Sequence, residues 1–265
     1  MKGKHMICFR NDNYKGEITY NGERLFFESA GEQDAGRIAA MYADIAIHAG
    51  NYRRRLDPCA PDSFEKTGGM FVLHSKNSVL KELAGGSSFF AAIKDYGGKL
   101  IAILWVSSSD PSFEVFDPAF FPALPEARRE ITEALTEGKV LYPREIIVDP
   151  GYRCKGMADI LCYTVFSAAR ASGYICSLGE VYKVCGCRIG STVMEAGMLN
   201  KGGYQTILGM GGRFIGAFPR RVAQAGALAV TIEPQVFLLR YDQILPVLEQ
   251  SVYDCGAGVF WKGQA

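Results

Sequence analysis

Metal-ligating side chains are sparse in this 265-residue chain: its three histidines, His5, His48 and His74, stand far apart. Its eight cysteines are scattered except for Cys185 and Cys187. A zinc centre needs about four ligands at close spacing, so no metal is expected. The cysteines are also too thin for the disulfide framework of a small secreted domain and are expected to be reduced. No stretch approaches the ~18 consecutive apolar residues of a membrane helix, and the best candidate, "GALAVTIEPQVFLL", is broken at Glu233-Pro234. The N-terminal "MKGKHMICFRNDNYKG" has no apolar core of a signal sequence. The expectation is a cytoplasmic protein without a membrane partner. An excess of one charge is missing too. Twenty-nine basic against 28 acidic residues leave +1, which gives no global field for collecting nucleic acid, and no such partner is expected.

What is there is an ordinary globular composition, 48% hydrophobic and 22% charged, in a chain long enough for one large domain or a domain with extensions. "GEITYNGERLFFESA" reads as a hairpin around Asn21-Gly22, a pair suited to a type I′ turn. "EQDAGRIAAMYADIAIHAG" sets Ile38, Met41, Tyr42, Ile45 and Ala46 at helical spacing. Residues 51–69 read as a loop, and a short helix follows over 75–83. "SSFFAAIK" and "KLIAILWVS" read as a second hairpin, apolar enough to be central in a sheet. Residues 108–139 break the rhythm with four X-Pro pairs and a helix in "PEARREITEALTEG", and are taken as an insertion. Next come a strand over 140–148, a helix, a strand in "YICSLGEV", a short helix ending "MEAGM", and β-prone runs at "GYQTILGM" and "QVFLLRYD".

The stretch "EIIVDPGYRCKGMADILCYTVFSAARASGY" carries the chemistry. Its strand stops at Asp149-Pro150, and its helix, with Ala158, Leu161, Cys162, Val165 and Ala169 on one face, starts near 155–157. The first N–H groups of a helix lack internal acceptors and carry the positive end of the macrodipole. With Gly156 allowing close approach and Arg153 and Lys155 adding charge, the turn is a seat for a pyrophosphate.

Val148, Pro150, Arg153, Gly156 and Ala158 fit the pattern V-x-P-x-x-R/Q-x-x-G-x-G/A between a strand and a helix. In this the chain resembles the GCN5-related N-acetyltransferase (GNAT) superfamily over roughly residues 24–208. The resemblance implies an α/β (α+β) fold, a mixed and mostly antiparallel sheet whose central parallel strands splay apart between flanking helices. It implies acetyl-CoA as cosubstrate and direct transfer of acetyl to an amine of a small molecule or peptide; the alternative is a CoA-binding module with little or no turnover. It gives Ile147, Val148, Arg153, Cys154, Lys155, Gly156, Met157 and Ala158 as the cofactor-binding residues.

Catalytic candidates are Tyr142, Glu145 and Tyr182. Strand alternation places Tyr142 on the Val148 face, where the family's base often lies, and Glu145 on the other, unless a bulge shifts the parity. Two departures weaken the expectation of activity: with "TVMEAGM" as the last helix, Gly186 stands where asparagine is common, and Val193 or Met194 where the thiolate-protonating tyrosine is common. Tyr182 is the substitute acid. The organisation expected is an extension over 1–23 with a hairpin strand, an acetyltransferase domain over 24–218 containing the insertion, and a C-terminal strand and extension over 219–265 on the same domain. Phe113, Phe116, Phe120 and Phe121 of the insertion would wall the acceptor pocket. A homodimer is left open.

Overall fold

The structure is a computed structural model that describes residues 16–20, 23–71, 74–108, 125–254 and 258–261. The four insertion phenylalanines and the Asn21-Gly22 turn lie outside the described residues.

Strands β1 (Gly16–Tyr20) and β2 (Glu23–Ser29) pair antiparallel as expected. Helix α1 (Ala35–Ile45) follows and buries Ile38 and Tyr42, the centre of its apolar stripe. The stretch read as a loop contains two single-turn helices, α2 (Tyr52–Arg55) and α3 (Phe64–Thr67). Helix α4 (Lys76–Ala84) is capped by Ser75, whose side chain accepts from Ser78 N. Strands β3 (Ser88–Lys94) and β4 (Leu100–Ser107) form the apolar central hairpin. Helix α5 (Pro125–Thr136) leads to β5 (Val140–Val148), and helix α6 (Met157–Ala171) connects β5 to β6 (Cys176–Ile189).

Beyond Val181 the structure departs from the sequence reading. Strand β6 runs on to Ile189, and the residues expected to end a helix, "TVMEAGML", are strand β7 (Thr192–Leu199), hairpinned to β6. The reason is a period of 2: Met194, Ala196 and Met198 pack inward while Val193, Glu195 and Gly197 are exposed. The helix comes one element later, where "GYQTILGM" reads as strand, as α7 (Lys201–Gly209). Asn200 caps it, its Oδ1 accepting from Gly203 N at 2.9 Å, and Tyr204 and Ile207 pack on the main core at helical spacing. Packing overrides the poor helix propensity of its glycines and β-branched residues.

Strands β8 (Arg213–Ala217), β9 (Arg221–Ala225) and β10 (Leu228–Arg240), helix α8 (Tyr241–Asp254) and strand β11 (Gly258–Trp261) complete the order. Strand β10 passes through Pro234, and α8 buries Tyr241, Ile244, Leu248 and Val252 against α6.

Among the described residues the sheet runs β11-β1-β2-β3-β4-β5-β6-β10-β8, with β7 on β6 and β9 on β10. Within this sheet β5 and β6 are the parallel pair. Helices α6 and α8 cover one face over Ala102, Leu104 and Leu141; α1 and α4 cover the other over Ile103, Trp105 and Ile147. The second face also holds a buried ion cluster, Lys94 Nζ lying 2.7 Å from Asp34 and 2.6 Å from Glu28.

Candidate active site

Strands β5 and β6 are in register only at Val140 with Cys176 and Leu141 with Ser177. Beyond these pairs they diverge, and the gap opens into a cavity of about 320 Å³ between Pro143–Val148 and Gly179–Tyr182. The Thr67–Met70 segment and the start of α7, packed against each other, also line it. Gly68 (φ 67°) takes a backbone conformation that favours glycine, and a Cβ there would crowd Asn200 Nδ2 at 2.9 Å.

One end of the cavity reaches the turn before α6, where Arg153 and Ala158 line it. Asp149 organises this turn: its side chain accepts from Gly151 N at 2.8 Å and pairs with Lys99 at 2.7 Å. The Lys99 contact, with help from Gly151, holds the Asp149 carboxyl below the usual range. Arg153 Nε donates to Val148 O at 3.2 Å, which lays its guanidinium back along the strand end. Cys154 (φ 57°) and Gly156 (φ 75°), on either side of Lys155, both take positive φ as the chain enters the helix. Lys155 Nζ lies over the Tyr152 ring at 5.2 Å, and Cys154 is exposed. Met157 differs from its neighbours, because its side chain is buried in the core and anchors the helix start, leaving only backbone for a ligand. Ile147 is likewise a core residue on the α1 and α4 face and meets the cavity at its edge.

The parity of β5 turns on a bulge. Trp105 pairs with Glu145 but Val106 pairs with Pro143, so Arg144 is the extra residue. Arg144 and Glu145 therefore both reach the face of the sheet covered by α1, where Arg144 lies over the Trp105 ring at 5.6 Å. Tyr142 is not brought to the cavity. It is buried beside Ile131 and Ala134 of α5.

Glu145 lines the cavity, yet its Oε2 is sealed from solvent and has no hydrogen-bond partner. Burial pushes its carboxyl up to about 8, against the contact of Tyr42 and the charge of Arg144. Tyr42 Oη and Glu145 sense each other without a hydrogen bond of ordinary geometry between them. Trp105 Nε1, from the residue paired with Glu145, is a third buried polar atom without a partner. Such atoms cost about 1–3 kcal/mol each, so an unpartnered carboxyl oxygen with two more such atoms on neighbouring residues marks a place shaped by something other than stability.

Across the gap on β6, Tyr182 lines the same cavity. Burial, then Glu180, raises its phenol above the usual tyrosine range, with Arg221 opposing. Arg221 donates to Glu180 Oε2 at 2.7 Å and lies 3.3 Å from Tyr182 Oη. Among the described residues no cluster of three His, Cys, Asp or Glu could hold a metal, and no helix is long and apolar enough to cross a membrane.

No protein-family model matches the chain, and no curated protein matches it in sequence. Solved structures do. RimJ of Mycobacterium smegmatis, in complex with CoA-disulfide, is 10% identical and aligns over 94% of this chain and 96% of its own, with a TM-score of 0.51. The chain has the GNAT acetyltransferase fold. An N-acetyltransferase from Staphylococcus aureus Mu50 is 13% identical over 82% of this chain and 98% of its own, at a TM-score of 0.49. A GNAT-family acetyltransferase from Listeria monocytogenes 4b F2365 is 12% identical over 82% and 99%, at 0.44.

Within the GNAT fold, the placement of α7 moves both departures read from the sequence. The helix opens at Asn200, so an asparagine does precede it, and Gly186 is a strand residue beside the β6 irregularity. The same spacing counted from Asn200 brings Ile207 or Leu208 to the tyrosine position, which still lacks a hydroxyl.

Proposed function

We propose that the chain is an acyl-CoA-dependent N-acyltransferase that moves acetyl from acetyl-CoA to a primary amine by direct attack. The observation that carries this reading is the divergence of β5 and β6 into a cavity that runs from a helix-capping turn to a sealed carboxylate. A pyrophosphate on the first turn of α6 would meet its N–H groups, with Arg153 and Lys155 alongside. The pantetheine arm would lie in the gap and bond strand backbone as an added strand does.

Glu145 is the base in this reading. With its carboxyl near 8 it is basic enough to take a proton from an ammonium or from the attacking nitrogen, and still partly ionised at neutral pH. Tyr182, on the facing strand, is the acid for the leaving thiolate. Tyr142 has no part. Of the two departures behind the CoA-binding module without turnover, Asn200 before α7 answers the asparagine, and the absent tyrosine stays in its favour. The test is release of free CoA thiol from acetyl-CoA with a panel of primary amines. Amine-dependent release is the expected result; CoA binding without release from any amine would leave a binding module.

A further inference from the structure

The hydroxyl of Tyr182 is held by a side chain that belongs to neither strand of the cleft. Arg221 comes from β9, reached only after α7 and β8, and β9 touches the sheet through β10. Its guanidinium lies over the Tyr182 ring, 5.6 Å from the centroid, with one nitrogen 3.3 Å from the phenol oxygen. Glu180, two residues before Tyr182 on the same face of β6, fixes that nitrogen at 2.7 Å. Thus three charged or polar groups are locked together where only two flank the cavity.

A guanidinium has donors and no acceptor. Arg221 therefore makes the Tyr182 oxygen an acceptor, and the phenol's own hydrogen must point elsewhere. The cavity that Tyr182 lines is the open direction. The same positive charge opposes the burial and the Glu180 carboxylate that resist loss of that proton. We propose that Arg221 is a positioning residue for the acid step: it aims the Tyr182 hydrogen into the cleft and stabilises the phenolate that remains. This rests on the acyl-transfer reading and adds to it a residue from a hairpin outside the cleft.

The step balances. The amine nitrogen bonds to the thioester carbon, the C–S bond breaks, and its electron pair stays on sulfur. Sulfur takes the Tyr182 proton, while the nitrogen gives its proton to Glu145. Passage of that proton from Glu145 to the phenolate through solvent resets both groups, with no net proton change.

The test uses the full chain, acetyl-CoA and whichever amine supports thiol release, with Arg221→Met, Arg221→Lys, Tyr182→Phe and the Met–Phe double variant. Arg221→Met is expected to lower kcat roughly tenfold or more while the KM for acetyl-CoA moves less than about twofold. Arg221→Lys should recover part of the loss, because a point charge remains. The double variant should be no slower than Tyr182→Phe. Losses that multiply in the double variant, a silent Tyr182→Phe, or an unchanged kcat in Arg221→Met would each overturn the proposal. A fall in melting temperature with kcat intact would make Arg221 a structural residue only. Absence of thiol release in the wild type with CoA still bound would remove the reaction, and the role of Arg221 with it.

Discussion

Asp34 and Glu145 are two acids enclosed on the same face of one sheet, and they are treated in opposite ways. Asp34 Oδ2 receives Lys94 Nζ at 2.7 Å and Gly31 N at 3.0 Å, and Glu28 shares the lysine, so that among the Asp34 oxygens only Oδ1 is left without a hydrogen bond. Glu145 Oε2 receives nothing, although Tyr42, Trp105 and Arg144 surround it. A buried ion pair is held by its partners and resists change. A buried carboxyl without one keeps its proton to unusual pH, which suits a group that must exchange protons with a ligand. The difference lies in the cation: Lys94 is seated on Asp34, and no hydrogen-bonded cation is seated on Glu145 Oε2.

Breaking the first site should have the largest effect. Lys94→Met removes the cation that Asp34 and Glu28 share, and should cost about 3–5 kcal/mol of stability in urea unfolding. None of the three charged groups lines the cavity, so CoA affinity of the folded protein should hold. A loss below about 1 kcal/mol, the range of exposed pairs, would put the two acids on the same footing.

The second site should respond in the opposite direction. In the folded chain the Glu145 carboxyl titrates at about 8 rather than the ordinary 4.5. Between those values the unfolded chain has lost the proton that the folded chain keeps, so stability falls as pH rises and levels off above about 8. Glu145→Gln has no such proton. Its stability should equal or exceed that of the wild type, and the gap should widen from pH 5 to pH 8. A gap that is constant over this window would return Glu145 to an ordinary carboxyl.

A smaller effect sharpens the contrast from the cofactor side. Arg153→Glu reverses the charge beside the turn and should weaken CoA binding by about 1–3 kcal/mol, the worth of a charge-assisted contact. Its melting temperature should stay close to wild type, since the only hydrogen bond Arg153 makes among the described residues is to Val148 O. Calorimetric titration with undiminished CoA affinity would move the phosphate seat elsewhere.

Much of this was legible in the residues. Asp149-Pro150 ending a β-branched strand, Gly156, and the 3.6 spacing of Leu161, Val165 and Ala169 place the turn and helix without coordinates. The site was harder. A bulge at Arg144 changes which side chains share a face; Pro143 inside "LYPREIIV" is its one signal, and the position of the extra residue is set by pairing with β4. The hairpin of β6 and β7 was hidden by "TVMEAGM", whose alternation is weak and whose composition suits either state. In helix α8 the helical period of Tyr241, Ile244, Leu248 and Val252 is masked by the β-prone residues before it and by Pro246 inside it. The link from Arg221 to Tyr182 joins residues 39 apart in the chain, a contact that follows from the register of β9, β10 and β6.

The central claim is that Glu145 is a base on the cleft, and the pH dependence of kcat/KM tests it most directly. The acceptor should be one whose ammonium pKa lies well below the working range, so that its own titration does not appear. The account predicts that kcat/KM of the wild type rises with pH and levels off above about 8, as the Glu145 carboxyl passes its titration midpoint, and that Glu145→Gln is at least ~10²-fold slower with this rise absent. The same rise at the same pH in both proteins would contradict it.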